Sequence, residues 1–134
     1  MIRPRYSILI VDDDPDDRES IREAFLENKY NHDYVFFSAA EELLGYLSDA
    51  NANTNSTVIL LDLNMPGMDG RTALKHIKSN DDFRHIPIII MTTSSSHSDR
   101  QASYALGANC FVTKPDTFGK LVDITNSIAK LWIA

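Results

Sequence analysis

Several side chains in this sequence could do chemistry together if the fold gathers them. Asp12, Asp13 and Asp14 follow the apolar run Ile8-Leu9-Ile10-Val11, and Asp62 follows Val58-Ile59-Leu60-Leu61. Thr92 and Thr93 follow Ile88-Ile89-Ile90-Met91, and Lys114 comes just after Cys110-Phe111-Val112. Carboxylates brought close repel one another unless a cation neutralises them. An all-oxygen set with room for water suits Mg²⁺ or Mn²⁺ better than zinc, which prefers nitrogen and sulfur. A dication beside a carboxylate nucleophile, a hydroxyl and an ammonium is also an arrangement for phosphoryl transfer. In that chemistry Asp62 is the nucleophile, Asp13 a metal ligand, Thr92 a hydroxyl donor and Lys114 a charge clamp. Carboxylates are known nucleophiles in acyl-phosphate formation.

The elements that must position these groups are legible as an alternation. The four runs above and Tyr34-Val35-Phe36-Phe37 are short and rich in β-branched or aromatic residues, which predicts strands. Three of them are continuously apolar, as strands buried on both faces of a parallel sheet are. Between them lie helical stretches. The first starts at Asp14-Pro15, a capping residue before proline, and turns Ile21, Ala24 and Phe25 to one face. The second contains Leu43, Leu44 and Leu47 and ends before the polar loop Asn51-Ala52-Asn53-Thr54-Asn55. A third runs from Asp69-Gly70 through Ala73, Leu74 and Ile77; a fourth covers residues 99–106 and stops at Gly107. The last presents Leu121, Ile124, Ile128 and Leu131 on one face. Five strands alternating with five helices predict an α/β fold, a doubly wound (βα)5 arrangement on a five-stranded parallel sheet. Functional groups in such a sheet gather outside the carboxyl ends of the strands, which is where the candidate residues fall. Strand two ends on Ser38 and Ala39, which are chemically quiet.

Four motifs resemble the receiver domain of two-component response regulators: Val11-Asp12-Asp13-Asp14, the stretch Leu61-Asp62-Leu63-Asn64-Met65-Pro66-Gly67-Met68-Asp69-Gly70, Met91-Thr92, and Phe111-Val112-Thr113-Lys114-Pro115. They occur in the family's order, with 49, 30 and 22 residues separating Asp13, Asp62, Thr92 and Lys114. The resemblance implies a flavodoxin-like sandwich and a Mg²⁺-dependent switch, with Mn²⁺ as a substitute ion. By position, Asp62 accepts a phosphoryl group from a histidine kinase. Asp13 ligates the metal directly, Asp12 through water, and the Asn64 backbone carbonyl completes the protein ligands. Lys114 pairs with the acceptor carboxylate and then with the phosphoryl group. Thr92 and Phe111 form the switch that carries the new charge to the surface of helix four, strand five and helix five. Thr93 stands where the family usually has a smaller residue, and Asn64 and Ser94 hold positions that modulate the attacking water without being acids or bases. These departures imply a long-lived phosphorylated form, with dephosphorylation left partly to a partner. The ending Lys130-Leu131-Trp132-Ile133-Ala134 resembles that of small receivers served by phytochrome-type or hybrid kinases, some of which are homodimers.

Composition bounds these readings. The 134 residues fit one domain, residues 1–134, with 43% hydrophobic side chains to build a core. Only 20 residues follow Lys114, enough for the last helix, so no separate output domain is expected and output is by docking or onward phosphotransfer to a downstream protein. The single Cys110 rules out an internal disulfide and fits a reducing, cytoplasmic setting, and Met1-Ile2-Arg3-Pro4-Arg5 lacks the long apolar stretch expected of a signal peptide. A formal charge of −6 argues against nucleic acid, and no apolar run is long enough for a transmembrane helix.

Five of the 19 acidic residues lie within residues 12–17. Asp14, Asp16 and Asp17 are accounted for as carboxylates at a helix N-terminus. A calcium-loop reading of the same segment fails at Asp17, where the turn needs glycine. His32, His76, His85 and His97 form no ligand pattern, and Cys110 reads as a small core residue. Two rival functions remain beside the non-enzymatic switch. A haloacid-dehalogenase-like phosphohydrolase also uses an aspartate nucleophile, but after strand one in a pattern that Asp12-Asp13-Asp14-Pro15-Asp16 does not complete. A phosphate-independent adaptor of receiver fold would not need the intact acidic pocket, hydroxyl and lysine.

Overall fold

The five apolar runs become strands β1 (Ser7–Val11), β2 (Asp33–Phe37), β3 (Thr57–Leu61), β4 (Ile88–Thr92) and β5 (Cys110–Thr113) in a computed structural model that describes residues 5–49 and 52–133. Three sequence readings extend outside the described residues: the start at residues 1–4, Asn51 in the polar loop, and Ala134 at the apolar ending. All pairings are parallel, in the order β2-β1-β3-β4-β5. That order is one of the two common doubly wound arrangements, with its switch point between β1 and β3. Strands β3 and β4 are buried along their whole length, as is β1 after Ser7; the edge strands β2 and β5 are only partly covered. The continuous apolar runs therefore mark the central strands, as expected.

Alternate residues feed two core layers. Leu9, Val11, Ile59, Leu61 and Ile90 pack with helices α2 (Ala40–Leu47) and α3 (Gly70–Lys78). Ile8, Ile10, Val58, Leu60 and Met91 pack with α1 (Pro15–Glu27) and α5 (Phe118–Trp132). Helix α1 starts as predicted, with the Asp14 carboxylate accepting the Asp16 and Asp17 amides and burying Ile21, Ala24 and Phe25. Helix α3 is capped by Asp69, which accepts the Thr72 amide.

Two helices differ from expectation. Helix α4 (His97–Ala105) begins two residues earlier than predicted, because the Ser96 hydroxyl caps it by accepting the Asp99 amide. In α5 the buried side chains are Leu121, Thr125, Ile128 and Ala129, while Leu131 is 70% exposed. At about 100° per residue, Leu131 and Ile124 lie on the flank of the stripe centred on Leu121, Thr125 and Ile128. Polar Thr125 is admitted to the core because its hydroxyl donates to the Val122 carbonyl at 3.0 Å. The polar loop also carries a short 3-10 turn, Thr54–Ser56, capped by Asn53. Among the described residues no helix is long and apolar enough to cross a membrane.

Glycine matters most where α3 begins against the end of β3. A Cβ at Gly70 would stand 2.2 Å from the Asp62 carbonyl oxygen and 2.8 Å from Leu63 Cα, both backbone atoms that cannot swing aside. Gly70→Ala should therefore destabilise the protein by about 3 kcal/mol in urea unfolding. Gly45 sits within α2 with nothing within 4 Å of a built Cβ, and Gly45→Ala should stabilise by about 0.5–1 kcal/mol. Equal effects at the two positions would disprove the close-approach argument.

Candidate functional site

Parallel pairing delivers the acidic residues to one edge. The β1 ladder continues one residue beyond its end on both sides: the Asp12 amide donates to the Phe37 carbonyl and the Asp62 amide to the Val11 carbonyl, each at 3.0 Å. Asp12 and Asp62 thus emerge side by side at the switch point, only 2% and 6% exposed. Asp13, the next residue, is exposed. Oxygen atoms from Asp12, Asp13 and Asp62 all lie within 4.8 Å of one another. After Asp62 the chain is pinned by buried Leu63 and Met65, which leave Asn64 between them exposed. The Asn64 amide turns back to donate to Asp62 Oδ1 at 3.3 Å. Glu41 of α2 holds the same loop further on by accepting the Met68 amide at 3.0 Å.

Lys114 reaches this edge from β5, across the end of β4. Its backbone amide donates to the Thr92 carbonyl at 2.6 Å, fixing the root of the side chain. Its Nζ lies 2.7 Å from Asp12 Oδ2, 2.8 Å from Asp17 Oδ2 and 3.3 Å from Asp62 Oδ2. Burial by itself would lower the ammonium pKa. Close ionic contacts with Asp12 and Asp17, with the charge of Asp62, more than offset that and hold it above the ordinary lysine range. Lys114 is therefore fully charged at any physiological pH. It can neutralise an anion but cannot serve as a general base.

The expected residues Asp12, Asp13, Asp62 and Lys114 come together. Thr92 ends β4 between them, fully buried, with its hydroxyl oxygen accepting the Ser94 amide at 3.4 Å. Phe111 is buried in the α2–α3 core layer beneath the Arg100 guanidinium, whose carbon lies 5.0 Å from the ring centroid. Its amide donates to the Tyr104 hydroxyl of α4 at 3.0 Å. Two participants were not anticipated from the sequence. Asp17 is a direct partner of Lys114 as well as a helix N-terminal carboxylate, and Arg18 donates from Nη1 to the Asp12 carbonyl at 2.7 Å. The i, i+4 and i, i+5 spacing of Asp17 from Asp13 and Asp12 across the helix start was the only sequence signal available.

Comparison with known proteins now decides the family. The response regulator receiver domain matches residues 8–126. This chain belongs to the response regulator receiver family. The response regulator Rcp1 of Synechocystis sp. is 32% identical over 133 residues, covering 97% of this chain and 90% of its own length. A phosphorylated cyanobacterial phytochrome response regulator, RcpA, superposes with a TM-score of 0.88 at 33% identity, covering 98% of this chain and 96% of its own. The Mn²⁺-bound form of Rcp1 gives 0.82 at 32% identity, covering 97% and 95%. Receiver domains are signalling proteins that accept a phosphoryl group from histidine kinases and bind a divalent metal. The hydrolase and adaptor readings gain no support from these relatives.

The residues present fit a dication. Asp12 Oδ1 accepts the Asp14 amide at 2.9 Å, whereas Oδ2 is buried and its contact with Lys114 lies off the direction of a hydrogen bond. That leaves an anionic oxygen short of partners beside two further carboxylates, all hard donors. Burial pushes the Asp12 carboxyl above its ordinary range; Lys114 and the Asp14 amide pull it down without overcoming this, and the Asp62 charge adds to the rise. Only the ionised carboxylate can hold a cation, so a raised pKa makes metal affinity fail at a higher pH than for an ordinary aspartate. Millimolar MgCl2 or MnCl2 should raise the melting temperature at pH 7. That increment should disappear in Asp13→Asn, and in the unmodified protein it should decline on acidification before pH 3.8 is reached. An increment unchanged in Asp13→Asn would remove this carboxylate from the site.

Proposed function

We propose that Asp62 is the phosphoacceptor of this receiver. The observation that carries the reading is its placement: a buried carboxylate at the end of a central strand, with Lys114 Nζ 3.3 Å from one oxygen and the Asp12–Asp13 pair beside it. Asp13 and Asp62, the Asn64 carbonyl, and Asp12 through water would hold Mg²⁺, or Mn²⁺ in its place. Bound there, the ion supplies the positive charge that neutralises phosphoryl oxygens and lets a dianionic donor approach four carboxylates.

The chain's own groups do the rest. An Asp62 carboxylate oxygen attacks phosphorus as the bond to the histidine nitrogen of the donor breaks; that nitrogen keeps the electron pair, and because the ring's other nitrogen carries a proton the products are the acyl phosphate and a neutral imidazole. Lys114, unable to shed its proton at neutral pH, follows the negative charge from the carboxylate to the phosphoryl oxygens. The Thr92 hydroxyl accepts from the Ser94 amide, which leaves its own hydrogen free to donate to a phosphoryl oxygen. Phe111 couples that movement to α4, a role supported by its amide bond to Tyr104 and its stacking under Arg100. A kinase of phytochrome type is the donor favoured by the likeness to Rcp1 and RcpA, and the signal leaves through a switched surface or by onward phosphotransfer. Exposed Thr93 beside Thr92 screens the acyl phosphate and slows its hydrolysis.

Acetyl phosphate with Mg²⁺ should label the protein, and Asp62→Asn should abolish the label; normal labelling of that variant sinks the assignment. Once labelled, Thr93→Ala should lose phosphate faster than the unmodified protein. Equal or slower loss would show that Thr93 does not screen the site.

A further inference from the structure

We propose that Asp17 is a positioning residue that competes with Asp62 for Lys114 and so acts as a brake on the phosphorylated state. This rests on Asp62 being the phosphoacceptor. The ammonium sits closer to Asp17 Oδ2, at 2.8 Å, than to Asp62 Oδ2, at 3.3 Å. Both ends of this bridge are anchored. The Asp17 amide donates to the capping carboxylate of Asp14, and the Lys114 amide donates to the Thr92 carbonyl. The lysine head can therefore redistribute among its three carboxylates only by swinging its stem, and what Asp17 holds, a phosphoryl group on Asp62 must win.

Charge acts in the same direction. An ionised Asp17 competes with the phosphoryl group for Lys114 and also repels it, so the brake has two additive electrostatic causes. The same negative charge has the opposite effect on a dication, which it attracts. Asp17 should therefore move affinity for the two ligands of the site in opposite senses. A residue that merely holds α1 in place would weaken both when replaced, because both use the same carboxylates.

The test uses Asp17→Asn, nearly isosteric and neutral, with beryllofluoride as the phosphoryl mimic, titrated by calorimetry and by backbone amide shifts. At saturating Mg²⁺, half-saturation by beryllofluoride should fall about two- to fivefold, the range for a partly exposed ion pair. In the absence of fluoride, Mg²⁺ should bind more weakly by a similar factor. Asp17→Glu, which keeps the charge with a longer reach, should restore both affinities towards the original values. Asp17→Ser provides a second neutral replacement should Asn perturb folding, judged by thermal melts. Weakening of both ligands, or movement of neither, overturns the proposal. Asp62→Asn separates this from the underlying reading. If that variant still binds beryllofluoride, the phosphoacceptor assignment fails and the brake falls with it. If it does not bind, an unchanged Asp17→Asn overturns the brake alone.

Discussion

Two buried carboxylates at the ends of neighbouring strands constrain everything around them. Asp12 and Asp62 are nearly inaccessible, and an uncompensated buried charge costs several kcal/mol. Compensation comes from the ammonium of Lys114, one residue past the end of β5, with β4 and β3 lying between that strand and β1. The long side chain of Lys114 brings its ammonium to both Asp12 and Asp62 from beyond the end of β5. The crossing also restricts the end of β4, where Thr92 turns a short side chain inward and offers its carbonyl to the Lys114 amide. One ammonium against Asp12, Asp13, Asp17 and Asp62 leaves the site net negative. A dication is therefore part of the charge balance that the phosphoryl chemistry of the family requires.

The surrounding packing keeps these groups where the charges need them. Leu63 and Met65 are buried on either side of Asn64, so the loop after Asp62 is fixed by apolar contacts on alternate residues while its polar member stays exposed. Gly70 lets α3 start against the Asp62 carbonyl, and its own amide donates to the Leu63 carbonyl at 2.9 Å. Any side chain there would push the helix off the strand end that carries Asp62. Stability and function are coupled through a backbone contact rather than through the charged groups themselves.

What was legible in the sequence follows from the range of the forces involved. Central strands bury both faces, so they appear as unbroken apolar runs, and the residues just after them mark the functional edge without any knowledge of tertiary contacts. Asp17 was not legible as a site residue because a carboxylate in the first turn of a helix already has a sufficient local reason to be there. Its second role depends on Lys114, 97 residues away. The face of α5 was misplaced for a related reason. An apolar count favoured Leu131 over Thr125, whereas Thr125 is buried at no polar deficit because a carbonyl within its own helix accepts its hydroxyl hydrogen. The start of α4 shifted because three consecutive serines precede it and only geometry shows that Ser96 is the cap.

Helix α4 is the element best placed to respond to a change at Thr92, because little apolar packing holds it. Within the helix only Ser103 is buried. Its attachments are polar and specific: Arg71 of α3 pairs with Asp99 at 2.5 Å, and the Ser94 hydroxyl donates to the other Asp99 oxygen at 2.6 Å. Those two contacts, Ser94 first, hold the Asp99 carboxyl below its ordinary range. Ser94 is also the residue whose amide holds the Thr92 hydroxyl, and its carbonyl accepts the Thr113 hydroxyl of β5 at 2.9 Å. One short loop residue thus joins the proposed switch hydroxyl, the α3–α4 ion pair and the last residue of β5. Elements with few buried apolar contacts occupy the low-stability end of a fold and move first. On the proposed reading of Asp62, drawing the Thr92 hydroxyl toward a phosphoryl oxygen pulls on the Ser94 amide that donates to it. The strain then falls on hydrogen bonds that tie α4 down rather than on the sheet, whose central strands are locked on both faces.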